Sequence, residues 1–223
     1  MMLISRIYKK RFSNVDFRNS CWKIIIKYIY QKFIKKNDVV LDLACGYGFF
    51  INNVKCARKI GVDINPDCTG YLKKDVKFVQ SNVWKTTLPA LSVDLIYIAN
   101  LFEHLTHREI VVTIKECYRI LKKRGRILIL QPNIRLATKD YWMVFDHITP
   151  IDDRALDEIF GLHGFLLRKK IFKFLPYMTK KSVAGGDIFL KTYLSLPFLW
   201  RFFGKVSFMV YEKLDNKKDI KRI

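Results

Sequence analysis

The sequence has no paired cysteine motif and no long uncharged apolar run. Its 223 residues include five cysteines, which are scattered and form no CxxC pair. Such a set argues against a disulfide framework or a zinc knuckle and fits a reducing compartment. No uncharged stretch approaches the roughly 20 residues of a membrane span, and the first apolar run is too short for a signal peptide. We therefore expect a cytoplasmic protein, either soluble or peripheral at the inner membrane surface.

Acidic residues are scarce relative to basic ones. The chain has 41 Lys and Arg against 20 Asp and Glu, a formal net charge of +21. Such an excess favours anionic partners, namely nucleic acid, phosphorylated substrates or an acidic membrane surface, and it does not choose among them. A solvated lysine-rich surface explains it equally well. Much of the excess lies near the two ends, for example at Lys9, Lys10, Arg11, Lys35, Lys36, Lys217, Lys218, Lys221 and Arg222.

No internal repeat or low-complexity linker divides the chain, so we predict one domain over residues 1–223. Half of the residues are apolar, which is enough for a sizeable core at this length. Short apolar runs alternate with helical patterns, which is typical of βαβ units around a parallel sheet. Strands are predicted over 39–43, 59–63, 76–80, 93–98, 126–131, 166–174 and 206–212. Helices are predicted over 18–34, 108–121 and 152–163.

These elements divide the domain into four parts. A helical cap covers residues 1–37, the α/β core covers 38–174, an insertion covers 175–204, and the last strand with a basic tail covers 205–223. The basic run 122–125 is expected to end the helix before the fifth strand. The aromatic segment 188–204 is interpreted as cap packing more readily than as a membrane-interface helix, because Pro197 interrupts its amphipathic pattern.

A glycine-rich loop, ACGYG, directly follows the first predicted strand. Gly46 and Gly48 therefore lie at the carboxyl end of a strand, where open parallel sheets bind ligands, and a helix-like FFINNV run follows them. Asp63 ends the next strand, at the spacing where a carboxylate can accept both ribose hydroxyls. We expect Asp63 to serve this ligand and not the core. Together the loop and Asp63 predict a nucleoside site.

Two phosphate-binding motifs are missing from this loop. Ile51 stands where the dinucleotide fingerprint needs a third small residue, so a pyrophosphate cradle is not expected. No Gly-Lys-Ser/Thr sequence follows, which excludes a P-loop. The simplest remaining ligand has an adenosine and no phosphates, and S-adenosylmethionine is such a ligand.

The ordered segments LDLACGYG, GVDINPD, QSNV, ANLFEHL and ILKKRGRILILQPN resemble class I S-adenosylmethionine-dependent methyltransferases. The resemblance covers most of the chain and is nearest to small bacterial enzymes of types 11 and 23. It implies a Rossmann-like α/β fold: a seven-stranded, mostly parallel sheet with helices on both faces and an antiparallel last strand. A helical cover at the N-terminus and a helical insertion before the last strand complete the expected fold.

The resemblance also implies a set of cofactor-binding residues. Gly46, Tyr47 and Gly48 pass the amino-acid tail of S-adenosylmethionine, Asp42 supports its amino group, and Asp63 holds the ribose. Asn82 and Val83 face the adenine. The full set is Asp42, Ala44, Cys45, Gly46, Tyr47, Gly48, Asp63, Ile64, Asn82, Val83 and Asn100. Many family members carry glycine where this chain has Ala44, and aspartate where it has Asn82, whose amide oxygen can still accept a hydrogen bond.

Two of the four histidines follow predicted strand ends, where acceptors bind in this architecture. Methyl transfer is an in-line displacement that depends on positioning, and a hydroxyl acceptor also benefits from a base such as histidine. We therefore take His104 and His147 as candidate catalytic residues. A packed aromatic loop with a hydrogen-bonded histidine explains His147 equally well. The expected substrate-binding residues are Glu103, Asn133, Tyr141, Trp142 and Asp146.

Glu103, His104 and His107 together offer side chains that could bind a metal. The cluster lacks a convincing fourth ligand, and its spacing fits the start of a helix equally well. We expect no metal from the sequence.

The acceptor is the least determined feature. The segments QPNIRLATKDYWMVFDHITP and LPFLWRFFGK resemble a narrower bacterial group thought to act on glycans or other small molecules. This implies a small-molecule or glycan-type acceptor, methylated at O or N, that is phosphorylated or lipid-linked. An RNA methyltransferase is the alternative suggested by charge, although no RRM or KH signature accompanies the core. A non-catalytic, cofactor-binding partner subunit is the second alternative. The oligomeric state is not predicted.

Overall fold

One seven-stranded sheet organises the chain. The computed structural model describes residues 6–7, 14–177 and 186–215, so much of the two basic ends lies outside the described residues. The strand order is β3-β2-β1-β4-β5-β7-β6. The strands are β1 (Val39–Leu43), β2 (Arg58–Asp63), β3 (Val76–Gln80), β4 (Val93–Ala99), β5 (Leu121–Pro132), β6 (Phe165–Leu175) and β7 (Val206–Lys213).

The pairing confirms the expected topology. Strands β1 to β5 pair in parallel, while β7 runs antiparallel to both β5 and β6. All five residues of β1 are buried, as expected for a central parallel strand covered on both faces. The carboxyl ends of β1, β2, β4 and β5 therefore meet along one edge of the sheet.

Helices cover both faces of the sheet. The α-helices are α1 (Val15–Ile25), α2 (His107–Ile120), α3 (Thr138–Tyr141), α4 (Asp153–Leu162), α5 (Gly186–Ser195) and α6 (Pro197–Phe203). Ile114 of α2 and Phe160 of α4 are fully buried in the core on one face. Ile25 of α1 and Tyr193 of α5 lie in the core on the other face. This two-layered burial is what a sheet that is apolar on both sides requires.

The N-terminal cover begins earlier than predicted, because the side chain of Asn14 accepts a hydrogen bond from the Phe17 amide at 3.3 Å and caps α1. After Ile25 the helix continues as a π-helical turn, Ile26–Tyr30, and a 3-10 turn, Gln31–Phe33. Tyr30 is fully buried, with its ring 5.3 Å from that of Tyr97. The cover is therefore part of the core.

The insertion before β7 is helical, as expected, and its two helices pack to different degrees. In α5, Leu190, Tyr193 and Leu194 are buried. In α6, Leu199 and Trp200 pack half-buried against the same core, whereas Phe202 is 76% exposed. The interpretation of segment 188–204 as cap packing therefore fits α5 and one side of α6.

Two local predictions differ from the structure at the helix between β4 and β5. Helix α2 begins at His107, because Thr106 and Glu109 form a capping box. It ends at Ile120, and the basic run 122–125 belongs to β5 instead of ending the helix. The cause is the preceding residue: Leu121 is fully buried and already pairs with Val93 of β4.

The helix expected after the glycine loop is replaced by turns. Residues 49–54 make only isolated helical hydrogen bonds, such as Asn52 N to Gly48 O at 2.9 Å. The side chain of Asn52 donates to the Tyr71 carbonyl at 2.8 Å and accepts from the Lys73 amide at 2.9 Å. These contacts hold the segment against the loop that leads into β3, so the short connection gains its order from tertiary contacts.

In the ranges that the structure describes, none of the helices has the length and apolar character needed to cross a bilayer.

Backbone strain between β1 and the glycine loop gives a first prediction. Ala44 has a left-handed φ of 62°, a region that costs an L-residue with a side chain roughly 1–2 kcal/mol. We expect Ala44→Gly to raise the free energy of unfolding by about 0.5–1 kcal/mol in urea denaturation, because glycine relieves the strain while adding freedom to the unfolded chain. Gly48→Ala is the opposite control: its φ is 70° and an added Cβ collides with Leu72, so it should destabilise. A lower free energy of unfolding in Ala44→Gly would contradict the inference that the backbone of Ala44 is strained.

Candidate active site

The carboxyl edge of the sheet opens into a cavity of about 410 Å³. The glycine loop after β1 forms one end, and residues after β4 and β5 form the other. Nine of the sequence-predicted site residues line this cavity together: Asp42, Ala44, Cys45, Gly46, Tyr47, Asn100, Glu103, His104 and His147.

Asp42 brings a buried carboxyl to the cavity wall. Its Oδ2 accepts one long hydrogen bond, from the Ile51 amide at 3.3 Å. Burial, with a smaller contribution from the nearby Asp63, raises the pKa of this carboxyl to about 8, and the Ile51 hydrogen bond partly opposes the rise. A buried acid with so little internal compensation is suited to receive a cationic group from a ligand.

Asp63 holds the glycine loop in place. Its two carboxylate oxygens accept hydrogen bonds from the Gly46 amide at 2.8 Å and the Asn65 amide at 2.9 Å. Burial raises the pKa of Asp63, and these backbone hydrogen bonds oppose that rise. The expectation that Asp63 serves only a ligand is therefore wrong, since it also serves the fold. A carboxylate has about four acceptor positions, so one residue can serve the loop and a ligand together.

The remaining predicted cofactor residues lie outside this cavity, farther along the same edge. Gly48 continues the glycine loop and approaches Leu72 closely. Ile64 follows β2 and is exposed, and Asn82 follows β3 and is exposed as well. Val83 is buried beside it. These residues form an open shelf next to Asp63 instead of an enclosed pocket.

A cluster of one acid and two histidines forms the far end of the cavity. Glu103 and His104 lie in a 3-10 turn after β4, and His147 reaches them from the loop after α3. The Oε1 atom of Glu103 lies 3.9 Å from His147 Nε2 and 4.0 Å from His104 Nε2. The sequence named all three residues, and the fold brings them together.

The loop that carries His147 is fixed on Glu103. The amides of Ile148 and Thr149 donate to the Glu103 carbonyl at 2.9 and 3.2 Å. The hydroxyl of Tyr141 donates to the Thr149 carbonyl at 2.6 Å. Tyr141 is fully buried, so its hydroxyl shapes this loop.

The other predicted acceptor residues occupy different places. Asp146 lies beside the cluster, with its backbone oxygen 2.9 Å from His104 Nδ1. Trp142 is 52% exposed at the surface of the same loop. Asn133 is fully buried, and its amide donates to Asp153 Oδ1 at 2.8 Å. The structure thus places Asn133 within the core and Asp146 beside His104.

His107 does not join this cluster. It is the first residue of α2 and is exposed, as the alternative interpretation of its spacing predicted. His147 takes the place that local spacing had given to His107: Glu103, His104 and His147 offer ligand atoms within 4.8 Å of one another.

Comparisons with known proteins identify the domain. Residues 41–129 match the family described as a methyltransferase domain. A probable S-adenosylmethionine-dependent methyltransferase of Mycobacterium tuberculosis is 28% identical over 132 residues, covering 56% of this chain and 47% of that protein. An uncharacterised protein of Methanocaldococcus jannaschii is 28% identical over 159 residues, covering 70% of this chain and 68% of that one.

Solved structures show the same fold. An S-adenosylmethionine-dependent methyltransferase from Archaeoglobus fulgidus superimposes with a TM-score of 0.63 at 20% identity, covering 86% of this chain and 92% of that chain. Together these matches support a class I S-adenosylmethionine-dependent methyltransferase. Its cofactor is S-adenosylmethionine. The chain spans about half the length of the mycobacterial relative.

The residues of this methyltransferase fit that cofactor. The amino-acid tail of S-adenosylmethionine carries an ammonium group, and Asp42 offers a buried, weakly compensated carboxyl at the cavity wall. Gly46 has a left-handed φ of 49°, which turns the loop backbone toward the cavity. Among the described residues that line the cavity there is no lysine, and Arg18 is the cation that they include.

Sequence reasoning missed three residues that line the cavity or support its acceptor end. Arg18 and Trp22 of α1 line the cavity, although the sequence identified that helix only as a cover. Gln131, at the end of β5, donates to Glu103 Oε2 at 2.8 Å. The helical spacing of Trp22 and the position of Gln131 at a strand end were the available signals.

The raised pKa of Asp42 predicts a pH-dependent stability. The unfolded carboxyl titrates near its ordinary value of 3.8, whereas the folded one titrates near 8. The contribution of Asp42 to stability is therefore full below about pH 4 and is lost progressively as the pH rises towards 8. We expect Asp42→Asn to flatten the decline of the unfolding free energy over this range in urea denaturation. Asp75→Asn, at an exposed ion pair with Lys59, is the control. An equal dependence of the unfolding free energy on pH in wild type and Asp42→Asn would refute the inference that burial raises the pKa of Asp42.

Proposed function

We propose that this methyltransferase transfers the methyl group of S-adenosylmethionine to an oxygen or nitrogen atom of a small-molecule or glycan-type acceptor. The proposal depends on one observation: the same cavity contains Asp42 and the glycine loop at one end and His104 and His147 at the other. Its volume of about 410 Å³ lies within the range of small-ligand pockets. A ligand held between the two ends would keep donor and acceptor within reach.

At the cofactor end, Asp42 pairs with the amino group, and the backbone of Ala44 to Tyr47 passes the amino-acid tail. Asp63 accepts the ribose hydroxyls through its remaining acceptor positions. The exposed shelf of Ile64, Asn82 and Val83 receives the adenine, and the Asn82 amide oxygen accepts its exocyclic amine. Cys45 and Asn100 complete the wall that encloses the tail.

At the acceptor end, His104 and His147 are the catalytic residues. The bound cofactor supplies an electrophilic methyl group on a sulfonium. Transfer is an in-line displacement, so the chain must orient the acceptor atom and exclude water. A hydroxyl acceptor must also lose its proton, and the imidazole pair assists this loss. Asp146 and Glu103 bind the acceptor's polar groups beside the pair.

Three other residues lie at or near the acceptor end. Trp142 extends its apolar wall, and Tyr141 holds the loop that carries His147. Asn133 supports α4 through its hydrogen bond to Asp153.

Replacement of His147 tests the acceptor site. We expect His147→Ala to lower turnover by about 100-fold, since a positioned group that assists proton loss contributes at least that much. Formation of S-adenosylhomocysteine is measured with mixtures of small hydroxyl, amine and sugar-phosphate acceptors. Binding of S-adenosylhomocysteine, measured by calorimetry, should change by less than about threefold.

His163→Ala is the matched control for this experiment. His163 closes α4, where its ring contacts the Ile159 carbonyl, and it lies outside the cavity. Its replacement should leave turnover unchanged. Cofactor binding by wild type without turnover of any acceptor would contradict the proposal and favour the non-catalytic partner subunit. Full activity of His147→Ala would remove that residue from the mechanism.

We also propose that the enzyme works peripherally at an anionic membrane surface, on a phosphorylated or lipid-linked acceptor. Of the fifteen large hydrophobic side chains exposed in the described part of the chain, ten lie in the loop after α3 and in or beside α5 and α6. They are Trp142, Met143, Phe145, Ile148, Ile188, Phe189, Leu196, Phe198, Phe202 and Phe203.

These apolar groups lie close to the cavity and to cationic side chains. The loop carries Val144 and His147, which line the cavity. Lys205, just after α6, bonds Asp140 of α3 at 2.7 Å and so connects the two apolar segments. Exposed aromatic side chains among cations favour insertion at an anionic lipid surface.

Vesicle co-sedimentation tests the membrane proposal. The double variant Phe202→Ser, Phe203→Ser should bind vesicles of phosphatidylcholine with 30% phosphatidylglycerol at least about tenfold more weakly, because two exposed rings no longer bury apolar area. Leu162→Ser is the control, since Leu162 is 68% exposed at the end of α4. Wild-type binding that is absent, or insensitive to salt, would refute the proposal.

A further inference from the structure

We propose that Glu103, His104 and His147 bind a divalent transition-metal ion, with Zn²⁺ as the expected species. The location at the acceptor end rests on the proposed function, whereas metal binding itself is measured independently. The sequence expected no metal because His107 gave no adequate ligand set. In the structure His147, and not His107, completes the set with Glu103 and His104, and this changes that conclusion.

The three side chains converge without bonding one another. Each imidazole Nε2 atom lies 3.9 or 4.0 Å from Glu103 Oε1, which is too far for a hydrogen bond. All three ligand atoms lie within 4.8 Å of one another. Zinc binds nitrogen and oxygen ligands at about 2.0–2.2 Å, so tetrahedral ligands lie about 3.4 Å apart. The separations from Glu103 must shorten by about half an ångström, and the separation of the two imidazoles by at most about 1.4 Å, to reach coordination distance.

Outer hydrogen bonds orient two of these ligands. The Nδ1 atom of His104 lies 2.9 Å from the Asp146 carbonyl, so Nδ1–H donates and the Nε2 lone pair faces the cluster. Glu103 Oε2 accepts from Gln131 at 2.8 Å, which leaves Oε1 directed to the histidines. Metal-binding histidines and carboxylates are characteristically held in this way by outer partners.

Charge balance gives an independent argument. The side chain of Glu103 is 1% exposed, and a buried carboxylate needs a compensating positive charge. In the portion of the chain that the structure covers, the ion-pair partners of Glu103 are the two imidazoles, each at the limit of contact. A divalent cation between the three groups would supply that charge.

The ligand set matches a catalytic zinc site. Two imidazoles and one carboxylate are three protein ligands, and the remaining position faces the cavity that all three residues line. An acceptor hydroxyl reaching that position would have its pKa lowered and lose its proton to solvent. Its oxygen then bonds the methyl carbon, the carbon–sulfur bond breaks, and sulfur keeps the electron pair. In this arrangement the imidazole pair assists the proton loss by holding the metal ion, and solvent accepts the proton.

A cobalt titration tests the proposal. The full chain, purified without a histidine tag and stripped with EDTA, is titrated with Co²⁺ and followed by visible absorption, with Zn²⁺ as competitor. We expect one equivalent to bind. His147→Ala and His104→Ala should each weaken binding by at least about 100-fold, and Gln131→Met by about tenfold. Circular dichroism verifies that the variants are folded.

His107→Ala is the matched control, because His107 is close in sequence but exposed outside the cluster. It should bind Co²⁺ like wild type. Wild type that binds neither ion, or binding that is lost in His107→Ala and kept in His147→Ala, would overturn the proposal. Methyl transfer that persists in EDTA would overturn the proposed role of the metal ion and would leave the proposed methyltransferase function unaffected. Metal binding without turnover of any acceptor contradicts only the proposed function.

Discussion

The hydrogen bond from the Gly46 amide to the carboxylate of Asp63 determines the shape of the cofactor end. It joins the loop after β1 to the end of β2 at 2.8 Å, beside the bond from the Cys45 amide to the Val62 carbonyl at 2.9 Å. These two contacts hold Gly46 in its left-handed conformation, which directs the loop toward the cavity. The carboxyl of Asp42 is left at the wall without a comparable partner, and it is therefore the group available to a ligand.

Glu103 has the corresponding role at the other end. Its carbonyl holds the loop that carries His147, and its carboxylate faces both histidines. Gln131 links the same carboxylate to the end of β5. Because one residue anchors the loop and belongs to the cluster, the geometry of the acceptor end is coupled to the central strands β4 and β5. A loop of irregular structure thus gains the rigidity of the sheet.

The sequence predicted the strands and the glycine loop because buried parallel strands and glycine turns carry local signals. It did not predict the turns at 49–54, since Asn52 is held by Tyr71 and Lys73 across the fold. The approach of His147 to Glu103 is also a tertiary event, so local spacing pointed to His107 instead. The dual role of Asp63 could not be predicted, because it depends on the direction of the Gly46 amide in the folded loop. Side-chain exposure on α6 could not be inferred from an amphipathic pattern interrupted by Pro197.

The turns after the glycine loop bear on how the protein discriminates among nucleotides. In many nucleotide-binding folds a helix begins at this point, and its N-terminal dipole, about half a positive charge, attracts phosphate. Here residues 49–54 form no such helix, and the nearest strong group is the acid Asp42. The site therefore lacks the helix dipole that would attract a polyphosphate. An ammonium group bound beside Asp42 would lower the raised pKa of that carboxyl and favour its ionised form. Discrimination between S-adenosylmethionine and phosphate-bearing adenosine ligands then depends on which of them provides a cation to this buried acid.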